Sequence, residues 1–322
     1  AIFASFLSED SPTYLRNHRV YNQAQFPTTA YLEMAVAAGS NLWGNGSVVV
    51  EELNIKQGLI LPPEELVNVQ TVLTPSDNKS YQLQIFSQRN QHSQHKLEWV
   101  LHATALIRQE EISKTQTKIN LEKYQDDCSK PIDVKQHYQQ CSQIGIDYGS
   151  SFQGIEKLSA GKNQALASIK LPEELIGGTI DYQMHPALLD AALQVSFDAL
   201  PQTDSNKTYL QVGVEEFKIY GYPGLELWAY ASVAEPTAEN QESWKARVIL
   251  ISPEGEIVAS IKGLEVKLAT KADLLGTETE SITDWLYEIE WRSKGLLGRL
   301  GAPDFLLYPA EIAQKLAPDL TE

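Results

Sequence analysis

The chain contains the segment Val48-Val-Val-Glu-Glu-Leu-Asn-Ile55 and, much later, a second version of it, Val212-Gly-Val-Glu-Glu-Phe-Lys-Ile219. Each copy follows a segment of small and apolar residues that suits a helix, at 28–38 and at 186–200. Runs rich in Val, Ile, Tyr and Trp come after each copy, as expected for half-buried strands. These runs lie at 69–73, 81–87 and 97–107 in the first half and at 225–233, 244–252 and 256–268 in the second. We therefore predict an α+β fold in which an antiparallel sheet wraps one helix, with this unit present twice.

Composition limits the classes of function. The 322 residues include 42 acidic and 26 basic ones, a net charge of −16, and this field repels phosphate backbones and anionic lipid. No nucleic-acid or membrane partner is therefore expected, and no apolar run is long enough to span a bilayer. The N-terminus lacks the basic region of a signal peptide, and the two cysteines show no C-x-x-C spacing. These features predict a reducing, cytoplasmic location.

Composition also divides the chain into parts. The two helix-and-sheet units are expected at 1–108 and 132–270, with a polar connector at 109–131 between them. Residues 271–322 indicate a linker and the start of a neighbouring unit, because the Gly-, Leu- and Pro-rich tail cannot form a domain alone. The chain, which begins without Met, has the character of a piece of a longer protein.

Several local signals mark where the elements begin and end. Thr28 or Thr29 is expected to cap the first central helix, and Pro186 fits the first turn of the second. A helix at 132–144 should end with Gly145 in a C-cap position. Ser252-Pro-Glu-Gly-Glu256 is typical of a hairpin turn between the last two strands.

Asp190 is the clearest anomaly in the second central helix. A carboxylate in an otherwise apolar helix costs several kcal/mol unless it is paired or protonated. Desolvation should raise the pKa of Asp190, which suits a general acid near neutral pH. Gln194 lies one turn later on the same face and can orient the carboxyl group. The alternative interpretation is a structural Asp that backbone donors satisfy.

His18 precedes the first central helix and offers a base. A neutral imidazole can accept a proton near physiological pH. The alternative is a loop histidine that caps a turn. His185 lies close to Asp190, but we interpret it as part of the helix entry, since Pro186 keeps it outside the helix.

Other motifs give weaker signals. Tyr148-Gly-Ser-Ser-Phe-Gln-Gly154 is a tight turn whose backbone N–H groups and tyrosine hydroxyl can bind a substrate oxygen. It is not a G-x-S-x-G nucleophile elbow, because Gln153 occupies the final glycine position. His92 and His95 lie in a Gln-rich polar stretch that favours a surface loop over a metal site. His102 and His137 are expected to be structural.

Taken together, these stretches resemble the dehydratase domain of modular (type I) polyketide synthases over residues 2–270. The segment from His18 to Pro27 matches the family motif H-x-x-x-G-x-x-x-x-P, and Tyr148-Gly-Ser-Ser-Phe152 matches Y-G-P-x-F. Asp190 to Gln194 matches D-x-x-x-Q, and Tyr209-Leu-Gln-Val-Gly213 resembles a segment that contains Leu-Pro. The resemblance implies a double hotdog fold, in agreement with the duplication.

The resemblance also implies a reaction, which is dehydration of a β-hydroxyacyl thioester to the α,β-enoyl thioester plus water. His18 would remove the α-proton, and Asp190 would protonate the departing hydroxyl while Gln194 holds its carboxyl group. Tyr148, the Gly149 N–H and Pro27 would contact or orient the substrate. No metal or redox cofactor is implied, since the substrate is carried on the phosphopantetheine arm of an acyl carrier protein.

Further partners are implied as well. The resemblance implies neighbouring polyketide synthase domains and a homodimer, for which the strand-like N-terminus offers an edge. Carrier proteins are commonly acidic, as this chain is, so a local basic patch that includes Arg16 and Arg19 would help docking.

The chain departs from the family pattern at three positions. Asn22 stands where the family has Gly, and Asn tolerates positive φ next best. Ser150 stands where Pro is usual, so the substrate loop should be less rigid. Gln211 also stands where Pro is typical. Two alternatives stay open at this point: an isomerase or cyclase with the same two residues, and a non-catalytic scaffold domain. Retention of Asp190 disfavours the isomerase, for which the resemblance leads us to expect Asn.

Overall fold

A computed structural model describes residues 1–44, 47–63, 65–76, 79–90, 97–110, 118–201, 208–234 and 243–268. All of them belong to one unit, Ala1–Thr277. The predicted linker and neighbouring unit at 271–322 and the loop with His92 and His95 lie outside the described residues.

The first half consists of one long helix and strands on either side of it in the chain. Its elements are β1 (Ile2–Leu7), β2 (His18–Val20), β3 (Gln23–Ala24), α1 (Thr28–Trp43), β4 (Ser47–Ile55), β5 (Val67–Pro75), β6 (Ser80–Asn90) and β7 (Leu97–Glu110). The connecting region holds α2 (Leu121–Asp127), β8 (Lys130–Ile132), α3 (Val134–Gln143) and β9 (Ile146–Tyr148).

The second half repeats the arrangement. Its elements are β10 (Ile155–Gly161), β11 (Gln164–Lys170), α4 (Pro186–Ala199), β12 (Tyr209–Ile219), β13 (Glu226–Val233), β14 (Ser243–Ile251) and β15 (Ile257–Leu268). Helix α4 is apolar on nearly all sides and is buried against β11 and β13, whereas α1 packs against β4 and β7. A helix without a polar face needs such an enclosure.

The two halves share one sheet, which the sequence did not predict. Its strand order is β1-β5-β6-β7-β4-β12-β15-β14-β13-β11-β10-β8. The repeated Val-Glu-Glu segments form the junction, since β4 pairs antiparallel with β12 and Val50 lies opposite Phe217. Both of these side chains are fully buried, so pairing the two strands continues the core from one half into the other.

The junction also places Glu51 directly opposite Glu216. Like charges in such a pair are destabilising unless cations compensate them. Arg108 Nε lies 2.9 Å from Glu51 Oε1, and Lys262 Nζ lies 2.7 Å from Glu216 Oε1. On the outward side of the junction, these cations therefore compensate the charges of the two glutamates.

Several predicted boundaries and signals differ from the structure. Strand β7 extends to Glu110, into the predicted connector, which itself contains α2 and the start of β8. Neither Thr28 nor Thr29 caps α1, so that prediction is wrong: the N-cap is Pro27, and the two hydroxyls bond elsewhere. Pro186 does occupy the first turn of α4, and Gly145 ends α3 with φ +88°, as predicted.

Strands β10 and β11 were not predicted. Their Ala-, Ser- and Lys-rich sequences have little β propensity. Strand β11 forms despite this low propensity because α4 packs on it, and Ala165 and Ala167 are fully buried beneath that helix. Small side chains let the helix approach the sheet closely.

A buried carboxylate ties the two halves together. Glu33 on α1 accepts hydrogen bonds from the backbone N–H groups of Gln183, at 2.7 Å, and Met184, at 3.1 Å, just before α4. Burial raises the pKa of Glu33 from 4.5 to about 7, although the two backbone donors lower it. The folded state therefore holds a proton that the unfolded state releases near pH 4.5.

The stability of the fold should fall as the pH rises from 4.5 to 7 because of this group. The stabilisation that this proton gives the folded state is largest below pH 4.5. As the pH rises to 7, the stabilisation that is lost amounts to about 1.4 kcal/mol for each unit by which the folded-state pKa of Glu33 exceeds its unfolded-state pKa. Urea unfolding of Glu33→Gln across this range should show a shallower decline than the wild type. The matched control is Glu65→Gln on the surface, which should keep the wild-type slope. Equal slopes for Glu33→Gln and the wild type would contradict this account.

Candidate active site

His18 is positioned by the small sheet that β2 forms with β3 and β9. Its ring Nδ1 lies 2.8 Å from the carbonyl oxygen of Gln25. Since a carbonyl can only accept, Nδ1 carries the proton and Nε2 of the neutral ring keeps a lone pair. The rings of Tyr148 and Phe152 pack against the imidazole at 5.7 and 5.2 Å between centroids and fix its orientation. His18 therefore has the fixed orientation and the lone pair on Nε2 that a general base needs.

The hairpin after His18 has an unusual backbone. Tyr21 and Asn22 connect β2 to β3 with φ values of 47° and 66°, both in the left-handed region. Asn22 tolerates this conformation without the Gly of the family motif, as predicted. Tyr21 is held by its N–H, which donates to Gly145 O at 2.7 Å, and by a 2.8 Å hydrogen bond between its hydroxyl and Thr208.

Asp190 lies in the second turn of α4 and is almost completely buried. Gln194 Nε2 donates to its Oδ2 at 2.8 Å and Thr29 Oγ1 donates to its Oδ1 at 3.4 Å. Gln194 Nε2 also donates to Phe152 O at 3.0 Å, which holds the amide in place. The donors to the Asp190 carboxyl group are thus side chains. The alternative interpretation, a structural Asp satisfied by backbone donors, required backbone N–H groups instead.

Burial raises the pKa of Asp190, while His18, Gln194 and Thr29 lower it; the balance is a raised value. A carboxyl group with a raised pKa keeps its proton more readily and can act as an acid. Thr29 was predicted only as a helix cap, and its role here could not be found without the contact between α1 and α4.

His18 and Asp190 line the same cavity, a narrow space of about 50 Å³. Pro27 and Tyr148 contribute to its wall, and Gln194 lies behind Asp190. The remaining wall is largely apolar and includes Val20, Phe26, Ile146, Phe197 and Leu210. One half of the molecule supplies the base and the other supplies the acid.

The backbone N–H of Gly149, expected to contact substrate, has a partner within the protein. That N–H donates to Asn17 O at 2.7 Å, and Gly149 does not line the cavity. Glycine is needed at this position because a Cβ would collide with the Asn17 side chain. The following turn is braced by Glu174, which accepts hydrogen bonds from the hydroxyls of Ser150 and Ser151 in place of a proline ring.

The substrate contact expected of Tyr148 stays a prediction. Burial and the nearby Asp190 raise the pKa of its hydroxyl far above 10, so it stays protonated. It is therefore available as a donor beside the acid.

The other predicted structural histidines are confirmed. His185 Nδ1 accepts from the Ala187 N–H at 3.1 Å, and burial lowers its pKa to about 4, so the ring is a neutral helix cap. Burial lowers the pKa of His137, but Asp198 at 2.8 Å and Cys141 outweigh it and raise the value to about 10. His102 is buried between Ser87 and the Gln57 carbonyl.

Comparison with known proteins identifies the family. A model described as "Polyketide synthase dehydratase domain" matches residues 1–88, and one described as "Polyketide synthase dehydratase N-terminal domain" matches 117–275. The solved dehydratase domain from the CurF module of curacin polyketide synthase is 41% identical, with a TM-score of 0.77 over 84% of this chain and 93% of that one. The chain belongs to the polyketide synthase dehydratase family.

Other members are similar to this dehydratase domain. The CurK dehydratase domain is 43% identical, with a TM-score of 0.76 and the same coverage. Polyketide synthase GfsE of Streptomyces halstedii and mycoketide-CoA synthase of Mycobacterium tuberculosis are each 27% identical over 88% of this chain. The chain spans only 7% and 6% of the lengths of these two proteins. The structural matches confirm the double hotdog fold.

In the ranges given above, no group of three or more His, Cys, Asp or Glu side chains is arranged to hold a metal ion. Within those same ranges, every helix is too short or too polar to cross a membrane.

Proposed function

We propose that this dehydratase domain acts on a β-hydroxyacyl thioester carried by an acyl carrier protein and forms the α,β-enoyl thioester and water. One observation carries the proposal: a base from one half and a buried acid from the other face a single cavity. A proton-shuttling elimination needs one of each within reach of the same substrate.

The steps follow from the geometry. His18 Nε2 takes the α-proton, and the electron pair of that C–H bond becomes the new double bond. The bond between the β-carbon and its oxygen breaks, and Asp190 gives its proton to the oxygen, which leaves as water. His18 is then protonated and Asp190 ionised, so a net proton transfer from one to the other restores both. Pro27 and the apolar wall orient the acyl chain.

The relatives support these roles. Solved CurK dehydratases include two inactive mutants, one with Phe in place of a His and one with Asn in place of an Asp. Loss of activity on changing these two residue types is what the mechanism requires. We propose that the protein supplies no metal or redox cofactor to the reaction, because the thioester itself acidifies the α-carbon.

The dehydratase mechanism is better supported than either alternative. A scaffold would have no reason to place His18 and Asp190 on one cavity wall, with Gln194 and Thr29 holding the acid. An isomerase needs no protonated acid for a leaving hydroxyl, whereas burial favours the protonated form of Asp190 here. The discriminating assay is mass spectrometry of carrier-bound product after incubation with β-hydroxyacyl substrates of both stereochemistries. Loss of water supports the dehydratase, and a product of unchanged mass would contradict it.

The region of Arg16 and Arg19 was expected from the sequence to help an acyl carrier protein dock. Arg16 forms an ion pair with Asp10, and Arg19 Nη1 lies 3.4 Å from Glu9 Oε2. Their charges are largely compensated, so this region is not the basic patch expected from the sequence.

We also propose a homodimer that forms through β1. This strand is an edge of the twelve-stranded sheet, and it exposes Ile2 and Phe6, at 66% and 61% of their surfaces. Exposed apolar edges favour pairing with another chain, and a second copy would extend the sheet. Phe6→Lys should shift the sedimentation of the protein from dimer to monomer, whereas Gln139→Lys on the surface of α3 should not. A wild-type monomer, or a dimer unaffected by Phe6→Lys, would contradict this arrangement.

A further inference from the structure

Gln211 is a departure from the family pattern that lies in the cavity wall. It belongs to the first part of β12, and its carbonyl oxygen accepts a 2.7 Å hydrogen bond from Thr28 Oγ1 at the start of α1. This bond fixes the backbone of Gln211 beside the cavity that His18 and Asp190 share. Proline, the residue typical of the family at this position, would bring no side-chain donor there.

The side-chain amide of Gln211 has an unused donor. Its Nε2 is buried and has no hydrogen-bond partner among the residues that the structure describes. A buried amide donor without a partner is rare in native proteins and is often explained by a ligand or a catalytic role. The terminal torsion of a glutamine is broad, so the amide can turn toward a substrate oxygen in the cavity.

The proposed reaction requires such a donor. When His18 removes the α-proton, negative charge develops on the carbonyl oxygen of the thioester. A donor placed at that oxygen in a water-poor site is commonly among the largest contributions to rate. The Gly149 N–H, the donor expected from the sequence, is already bonded to Asn17 O.

Two other polar side chains of the cavity wall already have a neighbour with which they interact. Thr28 Oγ1 donates to the Gln211 carbonyl. Asp190 contributes to the raised pKa of the Tyr148 hydroxyl, so this hydroxyl lies near the acid. Among the described residues of the cavity wall, Gln211 is the one with a buried donor that has no hydrogen-bond partner.

We propose that Gln211 Nε2 donates a hydrogen bond to the thioester carbonyl oxygen and stabilises the negative charge that forms when the α-proton leaves. The proton goes to His18 Nε2, and the C–H electron pair is shared between the α-carbon and the thioester oxygen until the hydroxyl departs. This role rests on the proposed function, and it makes Gln211 a catalytic residue that the family motif does not include.

The test is Gln211→Met, which keeps the length of the side chain and removes the donor. With a carrier-bound β-hydroxyacyl substrate we expect kcat to fall by about 10²-fold, as for loss of one donor to a developing oxyanion, with little change in KM. A second assay follows exchange of α-hydrogen for deuterium in a carrier-bound saturated acyl thioester, which has no hydroxyl to lose. Exchange should fall by a similar factor. Gln139→Met, an exposed change of the same kind, should match the wild type in both assays.

The outcomes separate the two proposals. Wild-type kcat and exchange in Gln211→Met, or a rise in KM alone, would overturn the role of Gln211. A wild-type domain that exchanges α-hydrogen but releases no water would contradict the dehydratase proposal, and the exchange comparison would still decide Gln211. If Gln211→Met unfolds at a lower temperature than the wild type, Gln211→Asn provides a second comparison. It keeps an amide donor and should retain more exchange than the Met variant.

Discussion

Replacing His18 with phenylalanine should reduce dehydration by at least about 10²-fold, because the variant has no group that can take the α-proton. Phenylalanine preserves the ring that packs between Tyr148 and Phe152, at centroid distances of 5.7 and 5.2 Å, and so should preserve the fold. Exchange of the α-hydrogen in a saturated acyl thioester should be lost together with dehydration, since both begin with the same proton transfer.

The measurement is the rate of water loss on a carrier-bound substrate, followed by mass spectrometry, with thermal unfolding as the check on the fold. A folded His18→Phe variant that still exchanges α-hydrogen at the wild-type rate would show that another group is the base. His18 would then only shape the cavity.

Replacing Asp190 with asparagine should also reduce dehydration by about 10²-fold or more, but for a different reason. Asparagine is nearly the same size and can still accept a hydrogen bond from Gln194, so the site should keep its shape. It has no acidic proton to give to the departing hydroxyl. Removal of the α-proton by His18 remains possible, so exchange in the saturated thioester should persist.

This separation of the two activities is the distinguishing result. Loss of dehydration with retained exchange assigns the acid to Asp190, whereas loss of both would indicate that Asp190 supports His18 instead. Asp126→Asn on the exposed surface of α2 is the matched control and should leave both rates unchanged. Wild-type dehydration by Asp190→Asn would contradict its role as the acid.

Much of the fold could be predicted because the duplication is carried by local pattern. A small-residue helix followed by the Val-Glu-Glu segment and several β-rich runs specifies one unit, and its recurrence specifies two. What local pattern does not contain is the pairing of those units. The junction pairs residues as distant in the sequence as Val50 and Phe217, and only the assembled sheet shows that the two copies of the repeat pair with each other.

The residues of the site also differ in whether they could be predicted from the sequence. His18 and Asp190 could be found because a base before one helix and a carboxylate inside an apolar one are chemically conspicuous. Thr29 and Gln211 were harder, since their hydrogen bonds link α1 to elements 161 and 183 positions away. The hydrogen bond from the Gly149 N–H to Asn17 O could not be predicted, because a sequence motif does not reveal which partners its backbone groups find.

The most direct test of the central claim is one turnover of a doubly labelled substrate. The substrate is a carrier-bound β-hydroxyacyl thioester with deuterium at the α-carbon and oxygen-18 in the β-hydroxyl. If His18 and Asp190 act together across the cavity, mass spectrometry of the wild-type product should show loss of the labelled oxygen together with one α-deuterium. Neither loss should occur in His18→Phe, whereas Asp190→Asn should keep the labelled oxygen but can still exchange its α-deuterium with solvent. A wild-type product that keeps both labels, or variants that release the labelled oxygen as fast as the wild type, would contradict the account.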